Sequence, residues 1–357
     1  MKKVLVVRND KIGDFMLAWP ALKLLASSGA CEVSVLVPEY TAELARLCPS
    51  VRRIVLDPGA EATQEQQQTL LRQLRTNQYD AAIALFSNWR NASILRQANI
   101  PYRLAPATKF AQILYTDRLT QRRSRSLKPE WEYNLDLAQH YLMREGLPIH
   151  PVSAPYLVVK EERRLQARAQ IARSAGLDFA RPWLVVHPGS GGSAVNLSTQ
   201  QYIDLIRLIA KSLPNYQVLL SAGPSELETV NRMVFTLSDD SSTAHPVQVG
   251  VMLPEHGLKG LVAALDNADV MMAGSTGPLH IAGALDRPTV GFFPTKRSAT
   301  ALRWQTLNSP GRHLAIQAPA DQGEASFAEL NLVAVAQQII EHIRHTQYAS
   351  RVFASQS

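Results

Sequence analysis

The sequence predicts an α/β protein built from two doubly wound parallel-sheet domains. Three observations predict it. Short, almost wholly apolar runs of strand length alternate with segments of helical apolar spacing. A sheet buried on both faces and wrapped by crossover helices reads this way. The alternation stops at a stretch holding Pro148, Pro151 and Pro155, then begins again. At 357 residues the chain is long enough for two cores of ordinary size.

The first series opens with "KKVLVV", a fully buried strand. "FMLAWPALKLLASS" follows as one helix, with Pro20 near its first turns as a source of a kink. "CEVSVLVP" is a strand, "YTAELARLC" a helix and "VRRIVLD" a strand. A Gln-rich helix over 62–76 leads to the strand "YDAAIAL", the helix "SILRQAN" and the short strand "PYRLA". Residues 131–145 form one long helix, and "GLPIHPVSAPY" is the linker. The second series runs helix "ERRLQARAQIARSAGL", strand "PWLVVH", helix "QQYIDLIRLIAKSL", strand "YQVLLS" and helix "ELETVNRMVFTLS". "KGLVAALDNADVMMAGSTGPLHIAGAL" then gives helix, strand, turn and helix, and "PTVGFF" a further strand. A helix over 330–345 closes it. The expected domains are 1–152 and 153–345, with a frayed tail over 346–357.

Hydrophobic residues make up 46% of the chain and charged residues 19%, a soluble globular profile. No stretch approaches the roughly 20 apolar residues a membrane span needs. The apolar run after Lys2 and Lys3 stops at Arg8, short of a signal peptide's core. A cytoplasmic location is expected. Cys31 and Cys48 form no CxxC and no Cys/His cluster, so both read as buried thiols, with no metal site implied.

The formal net charge is +7. Residues 101–129 alone hold Arg103, Lys109, Arg118, Arg122, Arg123, Arg125 and Lys128 against Asp117. A local excess of this size points to a polyanionic partner: a phosphorylated ligand or an anionic membrane. Nucleic acid is disfavoured, because the stretch offers few aromatics for stacking and matches no DNA-binding motif.

Three strand ends carry candidate chemistry. In "RNDKIGD", Gly13 permits close backbone approach and Asp14 opens the helix. Either Asp10 or Asp14 suits the N-cap, which frees the other. In "HPGSGGSAVNLS", Ser190, Gly191, Gly192 and Ser193 form a loop able to turn backbone N–H groups toward phosphate. In "AGSTGPLHIAGAL", Pro278 suits a first helical turn. Ser275, Thr276, Gly277, Leu279 and His280 then surround a helix N-terminus suited to a diphosphate.

Together these turns resemble the heptosyltransferases of glycosyltransferase family 9. The family's opening turn is matched by Ile12-Gly13-Asp14, and its "P-A-L" helix by Pro20-Ala21-Leu22. Its middle motif is matched by Ile100-Pro101-Tyr102-Arg103-Leu104-Ala105, and its "PG" turn by Pro188-Gly189-Ser190. Its signature is matched by Ser275-Thr276-Gly277-Pro278-Leu279-His280-Ile281-Ala282. The resemblance implies a GT-B architecture of two Rossmann-like domains facing a central cleft. It implies inverting, metal-independent transfer of heptose from ADP-heptose to the lipopolysaccharide core, without a cofactor. Asp14 would be the general base. The donor would lie on 190–193 and 275–280. The acceptor, a core or lipid A-linked anion, would lie on Asp10, Lys11, Gly13, Arg103, Arg122, Arg123 and Arg125. Peripheral contact with the anionic inner membrane face extends this expectation.

The chain departs from the family pattern in three places. Where many members carry a cation followed by Trp-Pro, it has Val195-Asn196-Leu197-Ser198. Ser275 stands where an acid is frequent. "FFPTKRSATALRW" replaces the family's "GPTDP" region, and Lys296 or Arg297 is the nearest substitute cation. Another nucleotide-sugar donor, or an epimerase or hydrolase on the same fold, is the alternative. A dinucleotide-dependent oxidoreductase is disfavoured: no GxGxxG follows the first strand, and the second ends in Pro38 rather than an acid.

Overall fold

The computed structural model describes residues 1–108, 110–189, 195–239, 247–252, 257–319 and 327–354. The chain divides into two compact units, Met1–Leu157 and Val158–Ser357.

The first unit runs β1 (Lys2–Val7), α1 (Ile12–Met16), α2 (Trp19–Ser27), β2 (Cys31–Pro38), α3 (Glu39–Leu47), β3 (Arg53–Asp57) and α4 (Gln64–Asn77). It continues with β4 (Ala81–Ala84), α5 (Trp89–Gln97), β5 (Tyr102–Pro106), β6 (Asp117–Leu119) and α6 (Glu130–Arg144). Its six strands lie in the order β3-β2-β1-β4-β5-β6, all parallel. β1 is central, with Val7 level with Leu36 on one side and Ala84 on the other. Val4 to Val7 are all buried, as a central parallel strand requires.

The second unit runs α7 (Glu161–Ala175), β7 (Trp183–His187), α8 (Thr199–Ser212), β8 (Gln217–Ser221), α9 (Leu227–Ser238), β9 (Val249–Met252) and α10 (Gly257–Asp266). Then come β10 (Val270–Gly274), α11 (Gly277–Ala284), β11 (Thr289–Phe293), β12 (His313–Gln317) and α12 (Leu332–Ala354). Its six strands lie in the order β12-β11-β10-β7-β8-β9, again all parallel. Its core gathers Val186, Ile206, Leu220, Met272 and Phe292 with Ile339 and Ile343 of α12. α4 and α8 each start on a capping box, Thr63 with Gln66 and Ser198 with Gln201.

Several elements differ from the sequence expectation. The single helix expected after β1 is broken into α1 and α2. Pro20, near the start of α2, supplies no N–H to carry the ladder across. Asn134 Nδ2 instead donates to the Leu17 carbonyl at the break, 3.0 Å away. The N-cap of α1 is Lys11, without a side-chain cap, so neither Asp10 nor Asp14 caps it. The segment expected as linker adheres to the first unit through Lys23. Its Nζ donates to the Ser153 carbonyl (2.8 Å) and lies over the Tyr156 ring. α12 continues to Ala354, where a frayed tail was expected. Buried Thr346 and a Gln347 Nε2 bond to the Tyr216 hydroxyl (2.5 Å) hold that end. Cys31 and Cys48 are buried free thiols, as expected. Among the described residues no helix is long and apolar enough to cross a membrane.

Candidate active site

Both sheets share one winding. The strand order reverses between β1 and β4 in the first unit and between β7 and β10 in the second. The carboxyl ends of strands flanking such a reversal are where open α/β sheets bind ligands, because the connecting loops diverge there. The motifs "RNDKIGD" and "AGSTGPLH" leave β1 and β10 at these points, and "HPG" ends β7.

In the first unit, Arg8 is the residue directly after β1. It is buried to 3% exposure, and three carboxylates meet it. Nε pairs with Asp10 Oδ1 at 2.9 Å, and Nη2 pairs with Asp14 Oδ1. Nη1 reaches Glu130 Oε1 at 3.1 Å and Asn134 Oδ1 at 3.4 Å, both from α6. Glu130 is shared with Arg123, whose Nη1 lies 2.7 Å from Oε1 and also donates to the Leu85 carbonyl at the end of β4. Burial opposes the Arg8 charge, but Asp10, Asp14 and Glu130 outweigh it and hold the guanidinium firmly protonated. Burial pushes the Asp10 carboxyl up to about 6, against the pull of Arg8.

Further along the same edge, Asp57 at the end of β3 holds Arg90 (Nη1 2.8 Å, Nη2 2.5 Å) and Asn9. Asn9 in turn bonds Asn91, at 2.8 Å and 2.9 Å. Burial works against the Asp57 charge, and these donors overcome it, leaving the carboxyl below its usual range. The structure treats the expected acceptor residues unequally. Lys11, Arg122 and Arg125 are exposed, and Gly13 lies in the second position of α1. Arg103 is committed to the fold: Nη1 donates to the Ile100 carbonyl (2.5 Å) and Nε to the Leu114 carbonyl (3.0 Å). Arg123 is tied to Glu130 as described. Lys109 lies outside the described residues.

In the second unit, Thr276 is the N-cap of α11, and Pro278 sits in its first turn. The Thr276 hydroxyl donates to the Gly274 carbonyl (3.3 Å) rather than capping the helix. The first N–H groups of α11 therefore lack intrahelical partners and face the carboxyl end of β10. Ser275 and Gly277 are part-exposed there, whereas Leu279 is fully buried and contributes backbone alone. His280 was expected to contact the ligand from the first turn, and its Nδ1 is buried without a hydrogen-bond partner. It is 1% exposed, its amide bonds the Thr276 carbonyl (3.3 Å), and its ring packs near Trp304. Burial pushes its imidazole down to about 4. Ser190, Gly191, Gly192 and Ser193 lie outside the described residues. Lys296 and Arg297 are exposed just beyond the carboxyl end of β11, on this same edge.

Two residues that sequence reasoning passed over shape this edge. Asn196 donates to the Pro188 carbonyl (2.9 Å) and accepts from the Tyr202 hydroxyl (2.8 Å). A Cβ at Gly274 would come within 2.6 Å of its Oδ1. Glu226 accepts from the Gly223 amide (2.9 Å) and stands 3.8 Å from His187 Nε2. A Cβ at Gly189 would fall 1.9 Å from its carboxylate. Both glycines are thus fixed by a polar side chain pressed against the backbone. Among the described residues no cluster of His, Cys, Asp and Glu is arranged to hold a metal ion.

The family described as glycosyltransferase family 9 (heptosyltransferase) matches this chain over residues 68–317. The chain belongs to glycosyltransferase family 9. A Haemophilus influenzae protein provisionally named a glycosyltransferase is 40% identical to this family 9 chain over 343 residues, 96% of each. Lipopolysaccharide heptosyltransferase 2 of Salmonella typhimurium is 26% identical over 300 residues, 82% of each. Among solved structures, E. coli ADP-heptose lipopolysaccharide heptosyltransferase II superposes with TM-score 0.77 at 20% identity, covering 97% of this chain and 100% of its own. E. coli heptosyltransferase WaaC with ADP gives TM-score 0.72 at 19% identity, covering 95% and 99%. These last two likenesses establish the GT-B-like fold of the family 9 chain: two six-stranded parallel sheets.

Proposed function

We propose that this glycosyltransferase moves heptose from ADP-heptose to an acceptor of the lipopolysaccharide core, with inversion at the anomeric carbon. In this reading the first unit takes the acceptor and the second takes the donor. Asp14 accepts the proton of the attacking hydroxyl. The acceptor oxygen bonds to the anomeric carbon as the bond to the diphosphate breaks, and the electron pair leaves with the diphosphate. The unpaired amides at the start of α11 and the exposed Lys296 and Arg297 stabilise that leaving charge, so no metal is required by the scheme. Exposed Arg122 and Arg125 bind the phosphates or carboxylates of the acceptor, and they suit an anionic inner membrane face as well.

One observation carries the reading: an aspartate in the first turn of α1, held by the buried arginine that follows the central strand, at the edge where such sheets bind ligands. Relatives named as heptosyltransferases, one of them with ADP, support the choice of donor. Ser275 and the Val195–Ser198 stretch favour a second reading, in which the mechanism stands but the donor is another nucleotide-sugar.

Calorimetry with ADP-heptose, ADP, UDP-sugars and GDP-sugars, followed by a transfer assay on core-truncated lipopolysaccharide, decides between them. ADP-heptose is expected to bind wild type and Asp14→Asn alike, with transfer lost in the variant. The loss should be about 100- to 10,000-fold, the usual contribution of a general base. Transfer undiminished in Asp14→Asn removes Asp14 as the base. Binding and transfer of a UDP- or GDP-sugar moves the enzyme to that donor class.

A further inference from the structure

We infer that Arg8 is the positioning residue for the Asp14 base, fixing which carboxylate oxygen takes the acceptor's proton. The inference rests on the reading of Asp14 as base.

The geometry is specific. Both terminal nitrogens of the Arg8 guanidinium are hydrogen-bonded, Nη2 to Asp14 and Nη1 to Glu130 and Asn134, and Nε is ion-paired with Asp10 without a hydrogen bond. A planar fork bonded at both Nη atoms is fixed in orientation, and burial denies it water as an alternative partner. Among the described residues, the hydrogen bonds to the Asp14 carboxylate fall on Oδ1. Oδ2 keeps its lone pairs, and the side chain is 14% exposed. Arg8 therefore pins one oxygen and presents the other. A base needs its accepting oxygen at hydrogen-bond distance from the hydroxyl, and an error of about 1 Å costs on the order of 100-fold in rate.

The charge balance points the same way. Arg8 and Arg123 face Asp10, Asp14 and Glu130, so two cations meet three carboxylates. The ionised cluster carries one surplus negative charge. Proton transfer from the acceptor hydroxyl to Asp14 Oδ2 brings it to neutrality, while Arg8 stays on Oδ1. A lysine keeps the charge but lacks the fork, so it separates positioning from charge.

The test uses the full chain and the donor that wild type turns over. Arg8→Lys should fold, bind donor within twofold of wild type and keep its acceptor KM within about threefold. Its kcat should fall about 10- to 100-fold. In the Asp14→Asn background, measured in single turnover, Arg8→Lys should cost less than about threefold more, because it acts through a base already gone. If Arg8→Lys does not fold, Glu130→Gln, which removes the counter-charge on Nη1, should lower kcat by the same non-additive route. Full kcat in Arg8→Lys overturns the inference. So does a loss confined to KM or donor binding, or a loss that multiplies fully with Asp14→Asn. Undiminished transfer in Asp14→Asn alone is a different outcome, which sinks the base reading itself.

Discussion

Acidification should loosen the second unit through two buried histidines. Burial pushes His280 down to about 4. Burial, with the His280 and His342 charges, pushes His313 down to about 3. Both are therefore neutral in the folded unit down to pH 5, while an unfolded histidine gains a proton below about 6.5. A depressed folded value means stability that is present above 6.5 and lost as pH falls. At pH 5 the unfolded chain is favoured by about 2 kcal/mol per histidine, at about 1.36 kcal/mol per pH unit. The pair gives about 4 kcal/mol, on the order of a 1000-fold change in opening. Hydrogen exchange of the β7 and β10 amides, corrected for intrinsic rate, reads this between pH 7 and pH 5. His280→Gln should remove about half of the free-energy change, to roughly a 30-fold effect. In the same unit His187 and His342 are lowered by burial and add to this effect, while Asp269 is raised by burial and works in the opposite sense, so the difference between wild type and variant is the decisive quantity. A wild-type change below tenfold, or one that His280→Gln leaves untouched, refutes the reasoning.

Gly274→Ala puts a Cβ 2.6 Å from Asn196 Oδ1, and Asn196 is pinned by Pro188 and Tyr202. A loss of about 1–3 kcal/mol in urea unfolding is expected, relieved in the double variant with Asn196→Ala. Arg122→Ala and Arg125→Ala should raise the acceptor KM severalfold with the melting temperature unchanged, because both side chains are exposed. Arg103→Ala should do the reverse in unfolding and transfer assays: it strands the carbonyls of Ile100 and Leu114 and costs about 1–3 kcal/mol of stability.

The sequence made the sheet interiors legible and left most of the edges dark. β1, β2, β4, β7, β8, β10 and β11 read as apolar runs because both their faces are covered. β6, β9 and β12 carry no such run. Each is an edge strand, three to five residues long and only partly buried, so its pairing comes from its neighbour rather than from its own hydrophobicity. Only β3 among the edges announced itself, through "RIVLD". The turns of the candidate site were visible because glycine, proline and acid mark strand ends. Arg8 was not. A charged residue ending an apolar run reads as a boundary, and its partners on α6 lie 122 and 126 residues away. The signal that was available is the adjacency of Arg8 to two aspartates in so short a turn. The burial of His280 was equally hidden, because a first-turn position does not reveal how deeply a ring is packed.

The link between Arg8 and Glu130 spans 122 residues. Local contacts form early and cheaply, whereas a contact of this separation waits for the intervening chain to be ordered. As the protein emerges from the ribosome, Arg8 and Asp14 are made almost at once, yet the α6 partners of Arg8, Glu130 and Asn134, arrive only after nearly the whole first unit has followed. A fragment ending before residue 130 would hold Arg8, Asp10 and Asp14 without Glu130 and Asn134. The full set of contacts around Arg8 therefore requires α6 to be in place.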